Sequence, residues 1–214
     1  LKTKRKVCGV GINDSPTPIN KRNTLPHPKG KQIQKTVWAC PFYIVWADML
    51  KRCYSPKYLA KYPSYKGCTV CEEWLHFSKF KSWMEQQDWE SKELDKDIMV
   101  EGNKTYSPNT CLFVSKEVNY IFLAKACMVK QNLLGVRETK SGKYKASCKN
   151  GNVFLYSVPL LDEMDAHNEW KRFKVIAIKR ALESQTDERV IGALESRILK
   201  LQKSIIEGTE VKWL

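Results

Sequence analysis

Histidine is scarce in this chain: among 214 residues only His27, His76 and His167 are present. Chemistry that needs several imidazoles around one metal or one scissile bond therefore has few places to sit. Acid is nearly missing from the first 36 residues, where Asp14 stands alone against nine lysines and arginines, a surplus of eight out of the net +14. No run approaches the roughly 18 apolar residues of a membrane-spanning helix, so no membrane partner is expected. The opening LKTKRKVCGV has basic residues with no apolar stretch behind them, and a secretory leader is not expected there. Internal repeats and low-complexity segments are also lacking, which excludes solenoid and fibrous classes.

What is present is enough apolar sequence, 43%, to bury a core, and a large excess of positive charge. A charge of +14 implies a polyanionic partner held by phosphate neutralisation and counterion release. The eight cysteines are spread along a chain of ordinary apolar content, so buried or metal-bound thiols are expected rather than a disulfide framework.

The first 36 residues, with Pro16, Pro18, Pro26 and Pro28, read as an extended basic arm. From Thr36 aromatic and aliphatic residues take helical spacing, first at Phe42, Val45, Trp46, Met49 and Leu50, then at Trp74, Phe77, Phe80, Trp83 and Met84. The second stripe is read as core rather than as a platform for bases. Residues 94–114, LDKDIMVEGNKTYSPNTCLFV, predict a hairpin leading into a helix over SKEVNYIFLAKA. After a hinge near residues 130–132, GVRETKSGKYKASCKNGNVFLYSV predicts three strands with turns at Ser141-Gly142 and Asn150-Gly151. A helix over residues 161–182 follows. A last helix begins behind a Thr186 cap and carries Ile191, Leu194, Ile198, Leu201 and Ile205, expected to pack on its own domain. The fold class is α+β.

Three sets of residues can carry chemistry. Asp95 and Asp97 are hard oxygen donors suited to magnesium or manganese. Residues two apart on one strand share a face, so both could meet one ion, with Lys96 between them to stabilise phosphorane charge and Asn119 to orient the site. Cys68 and Cys71 form a C-x2-C knuckle that, with Cys111 and either Cys40 or Cys53, offers a candidate structural zinc site. The alternative is buried thiols. Arg137, Lys140, Lys143, Lys145 and Lys149 line the predicted sheet against one acid, Glu138. Alternation places Lys143, Lys145 and Ser147 on one face, with Tyr144 and Ala146 on the other.

The run RCYSPKYLAKYPSYKGCTVCEEWLHFSKFKSWM, then LDKD, GNK, YSPNTCLFV and Asn119, resembles the HNH-type endonucleases of bacteriophages, many of them homing endonucleases. GVGIND near the N-terminus, and GVRETKSGKYKA with a helix containing AHNEWKRFK, extend the likeness to the APETALA-type DNA-binding domain that often follows the nuclease region. The match covers residues 9–182. It implies a ββα-metal hairpin-helix module at residues 37–129 and a three-stranded antiparallel sheet with a packed helix at residues 133–182. The arm of residues 1–36 and the helical segment 183–214 complete the chain. The resemblance also implies double-stranded DNA as partner, divalent-metal nicking or cleavage, and the cytoplasm of the host cell. Where that family places its histidines this chain has Asp95, Lys96 and, near the last position, Phe122. Two functions therefore stay open: a metal-dependent endonuclease, or a non-cutting relative that regulates through DNA or docks on a host nucleic-acid enzyme.

Overall fold

In the computed structural model, residues 6–26, 30, 32–122 and 132–212 are described. In chain order the first elements are strands β1 (Asn20–Pro26) and β2 (Gln32–Ala39), helices α1 (Pro41–Tyr54) and α2 (Pro56–Lys61), strand β3 (Thr69–Val70) and helix α3 (Phe77–Met84). Strands β4 (Glu93–Asp95), β5 (Thr105–Tyr106) and β6 (Leu112–Val114) lead to helix α4 (Lys116–Phe122). Strands β7 (Val136–Glu138), β8 (Tyr144–Asn150) and β9 (Val153–Tyr156) precede the long helices α5 (Glu163–Leu182) and α6 (Glu188–Ile206). The architecture is mixed α+β with small sheets, in agreement with the expected class.

The chain forms two compact units, Leu1–Glu90 with Gly102–Phe113, and Ser91–Glu101 with Val114–Leu214. The expected 37–129 module is thereby divided between them. The rest of the helix expected beyond Phe122, and residues 130 and 131 of the expected hinge, lie outside the described residues.

The first unit is built on aromatic packing. Pro41 starts α1 where a missing N–H costs nothing, and Lys51 and Arg52 sit in its last turn, facing the negative end of the helix dipole. Its face of Trp46, Met49, Leu50 and Cys53 is buried. Against it lie Trp74, Phe77, Phe80 and Met84, all buried, with Trp83 half-buried. The Trp46 indole donates to the Trp74 carbonyl at 2.7 Å, and Trp74 and Phe80 meet edge-on at 5.0 Å. The aromatic stripe is core, as its spacing predicts.

The basic arm is not extended throughout. Ile12 donates to the Leu75 carbonyl and accepts from the Phe77 N–H. Asp14 then takes the Ser78 N–H at 2.8 Å and the Ser78 hydroxyl at 2.7 Å, anchoring the first turn of α3. Gly11 lies so close to α1 that a β-carbon would come within 2.3 Å of Leu50. Only after this anchor does the chain enter the β1–β2 antiparallel ribbon, whose strand residues are almost all exposed.

The segment of residues 94–114 is more than a hairpin. Strand β5 pairs in parallel with β3, Thr69 opposite Thr105 and Val70 opposite Tyr106.

In the second unit β7, β8 and β9 form the expected three-stranded antiparallel sheet, with β8 in the middle. Asn150 faces Val153, so the β8–β9 turn is Gly151-Asn152 rather than Asn150-Gly151. Gly135 holds φ +78°, and a β-carbon there would fall 1.9 Å from the Trp170 ring, so only glycine fits. Asp162 caps α5 by accepting from the Asp165 N–H at 2.9 Å. The cap of α6 is Asp187, which accepts from the Arg189 N–H at 2.9 Å, and not Thr186. A carboxylate at that position also meets the positive end of the helix dipole. Val190, Leu194, Ile198 and Leu201 of α6 are buried within this unit.

Two buried polar side chains of α5 tie the segment after α6 to its own unit. His167 is fully buried. Its Nε2 accepts from the Val211 N–H at 3.0 Å, which leaves Nδ1 to donate to the Leu134 carbonyl at 2.8 Å. One turn on, the fully buried Lys171 ammonium meets the carbonyls of Thr209 at 2.5 Å and Ser204 at 3.4 Å, and Asn168 Oδ1 at 3.0 Å. The Ser204 and Thr209 carbonyls lie at and just past the C-terminal end of α6, where a cation is favoured.

Candidate nucleic-acid interface

The sheet β7–β9 has two chemically distinct faces, and strand register assigns them. Residues directly opposite across an antiparallel pair point to the same side. Ala146 pairs with Val136, and Cys148 with Leu155. Ala146 and Cys148 are buried, so this side covers the core with α5. Beneath it, burial pushes the Cys148 thiol up and the Lys174 ammonium down, each toward its neutral form.

The other side carries Arg137 opposite Lys145, Ser147 opposite Tyr156, and Lys149 opposite Phe154. Arg137 and Lys149 are exposed and Lys145 half-buried. Lys140 and Lys143 are exposed in the β7–β8 loop, where Thr139 and Lys143 close the turn through backbone bonds. The face thus brings Arg137, Lys145 and Lys149 together, with Lys143 and Lys140 at one end, as alternation predicts. Phe154 and Tyr156 join this face, and their two-residue spacing in VFLY carries the same alternation signal.

The acidic loop is arranged differently. Strand β4 ends at Asp95, so Asp97 lies beyond the strand and the shared-face argument does not apply to the pair. Asp95 Oδ1 accepts the N–H groups of Asp97 at 2.7 Å and Ile98 at 2.8 Å, closing a turn. Burial raises the Asp95 carboxyl above its ordinary value, and those two N–H bonds oppose the rise. Asp97 pairs with the buried Lys96 ammonium at 2.5 Å. Asn119 sits mid-way along α4, half-buried, its N–H bonded to the Ser115 carbonyl.

Cys68 and Cys111 are buried, as is Cys53, while Cys40 and Cys71 are half-buried. None of the five is in a disulfide, and burial pushes the Cys71 thiol upward, away from the thiolate that zinc requires. Among the described residues no group of three or more His, Cys, Asp or Glu side chains is placed to hold a metal ion. Asp95 and Asp97 do not share a strand face toward one ion, because β4 ends at Asp95 and its carboxylate turns back onto the next two N–H groups. No described helix is long and apolar enough to cross a membrane.

Compared with protein-family models, with curated proteins and with solved structures, the chain matches none.

Proposed function

We propose that this chain is a double-stranded DNA-binding protein that uses the outer face of β7–β9 against the phosphate backbone and groove. The observation that supports it most is the register placing Arg137, Lys145 and Lys149 on the side of the sheet opposite its buried face. A cationic surface on a rigid sheet neutralises phosphates without paying reorganisation, and an arginine on it suits bidentate contact with guanine. The resemblance to APETALA-type domains supports the same face and would place the protein in a phage-infected cell.

Of the two activities left open, the geometry favours the non-cutting one. Asp95 turns one oxygen onto two backbone N–H groups and Asp97 turns one onto Lys96, an arrangement that supports a turn-closing role over a shared ion. Whether the chain regulates through DNA alone or also docks on a host nucleic-acid enzyme belongs to this same proposal.

An electrophoretic shift series on duplex DNA at rising salt tests the binding, and plasmid with magnesium or manganese tests cleavage. Binding that weakens steeply with salt, with the plasmid left intact, is expected. Absence of any shift at low salt would overturn the reading, and nicking abolished by Asp95→Ala would restore the endonuclease.

A further inference from the structure

We infer that the outer face of β7–β9 also takes unpaired bases, so that the preferred partner is a DNA duplex continued by a single-stranded segment. The inference rests on the DNA-binding reading above and adds the form of DNA.

It starts from Phe154 and Tyr156. These rings are 52% and 56% exposed on a sheet whose other side supplies the core. They lie nearly parallel, 22° apart, with centroids separated by 6.0 Å. Two adjacent aromatic rings left to water on a rigid strand are an unusual use of apolar surface. The neighbours decide what covers them. Lys149 stands opposite Phe154 and Arg137 opposite Lys145, so the rings sit in a cationic field suited to a polyanion rather than to an apolar protein face.

A closed duplex satisfies the cations but not the rings. Its base faces are stacked inside, and the grooves present polar edges that a phenyl ring cannot read by hydrogen bonding. An unpaired base instead offers a π-face to each ring, and such stacking tolerates any sequence.

The charge distribution gives the connecting strand a path. Lys149 holds its ammonium 4.7 Å from the centre of the Tyr120 ring. It also lines a cleft with Lys116 of α4 and Arg180 of α5, where the only acidic lining residue among the described residues is Glu117, paired with Arg180 at 3.5 Å. Phosphates running from the rings across Lys149 enter this cleft.

Fluorescence anisotropy of the full chain with three labelled probes tests the inference: a blunt duplex, the same duplex with a single-stranded tail, and the tail strand alone. The wild type is expected to bind the tailed duplex at least about fivefold tighter than the blunt one, from one stacked base or more. Phe154→Leu with Tyr156→Leu removes this preference and leaves blunt-duplex affinity within about twofold. Phe154→Tyr with Tyr156→Phe keeps the preference, which excludes a folding defect at these exposed positions. Equal affinity for blunt and tailed duplex, or a preference that survives the leucine pair, would overturn the inference while the DNA-binding reading stands. Failure to bind any of the three probes at low salt would sink both.

Discussion

At the scale of single residues, His167 is the clearest case of a side chain whose protonation state is fixed by its partners. The Val211 N–H needs the Nε2 lone pair, so a proton there breaks the bond and leaves a buried donor facing a donor. Burial chiefly, with the charge of Lys171, pulls this imidazole below its ordinary value of 6.5, against the opposite pull of the Leu134 carbonyl. The unfolded chain therefore takes up a proton that the folded chain refuses. Stability is full above pH 6.5 and falls as pH drops below it toward the folded value. Denaturant titrations across that range should show a decline that is lost in His167→Gln, whose amide can still accept from one group and donate to the other. His167→Ala orphans a buried N–H and a buried carbonyl, and should cost about 3–4 kcal/mol in the same assay.

Asp95 makes the opposite prediction. Its carboxyl is raised by burial, so the charged form opposes folding at neutral pH, and its contribution is lost as pH rises through the raised value. Asp95→Asn keeps an oxygen for the Asp97 and Ile98 N–H groups and removes the buried charge. The variant should melt no lower than the wild type and bind duplex DNA unchanged. A large loss of either would show that the charge itself is needed.

At the scale of elements, helix α3 depends on a residue far away in sequence. Asp14 caps its first turn through Ser78, and although partial burial works the other way, the Ser78 bonds hold the carboxyl below its ordinary value. Asp14→Ala should lower stability by about 1 kcal/mol in thermal or denaturant melts, and the deficit should shrink as pH falls from 3.8, where the unfolded chain begins to take up the proton, through the lower folded value.

The same element shows what sequence can and cannot tell. The stripe of Trp74, Phe77, Phe80 and Met84 is legible because helical period and burial are local matters. The Asp14 anchor is not, since its partner lies 64 residues on and no spacing rule links them. Strand β8 is legible for a related reason, because one buried face forces alternation of Ala146 and Cys148 with Lys145, Ser147 and Lys149. The Asp95–Asp97 pair misleads because alternation holds only while the strand lasts, and a side chain that accepts from the next backbone N–H groups ends it. Thr186 and Asp187 are both good caps, and sequence alone does not rank neighbours. Phe154 and Tyr156 escape notice because exposed aromatics in a strand look the same as buried ones until register assigns their face.

For the whole molecule, the net charge of +14 guarantees some attraction to any polyanion, so binding by itself does not test the sheet. What singles out β7–β9 is that strand register puts three cationic residues on one face of the sheet. The measurement that bears on this most directly is the salt dependence of duplex affinity for the wild type and for Arg137→Gln, Lys145→Gln and Lys149→Gln combined. The slope of log affinity against log salt should become shallower by about 0.9 for each phosphate contact removed, approaching three contacts in the triple variant, with affinity at low salt falling in step. A triple variant whose slope and affinity match the wild type would contradict the account and move the DNA contact to another surface.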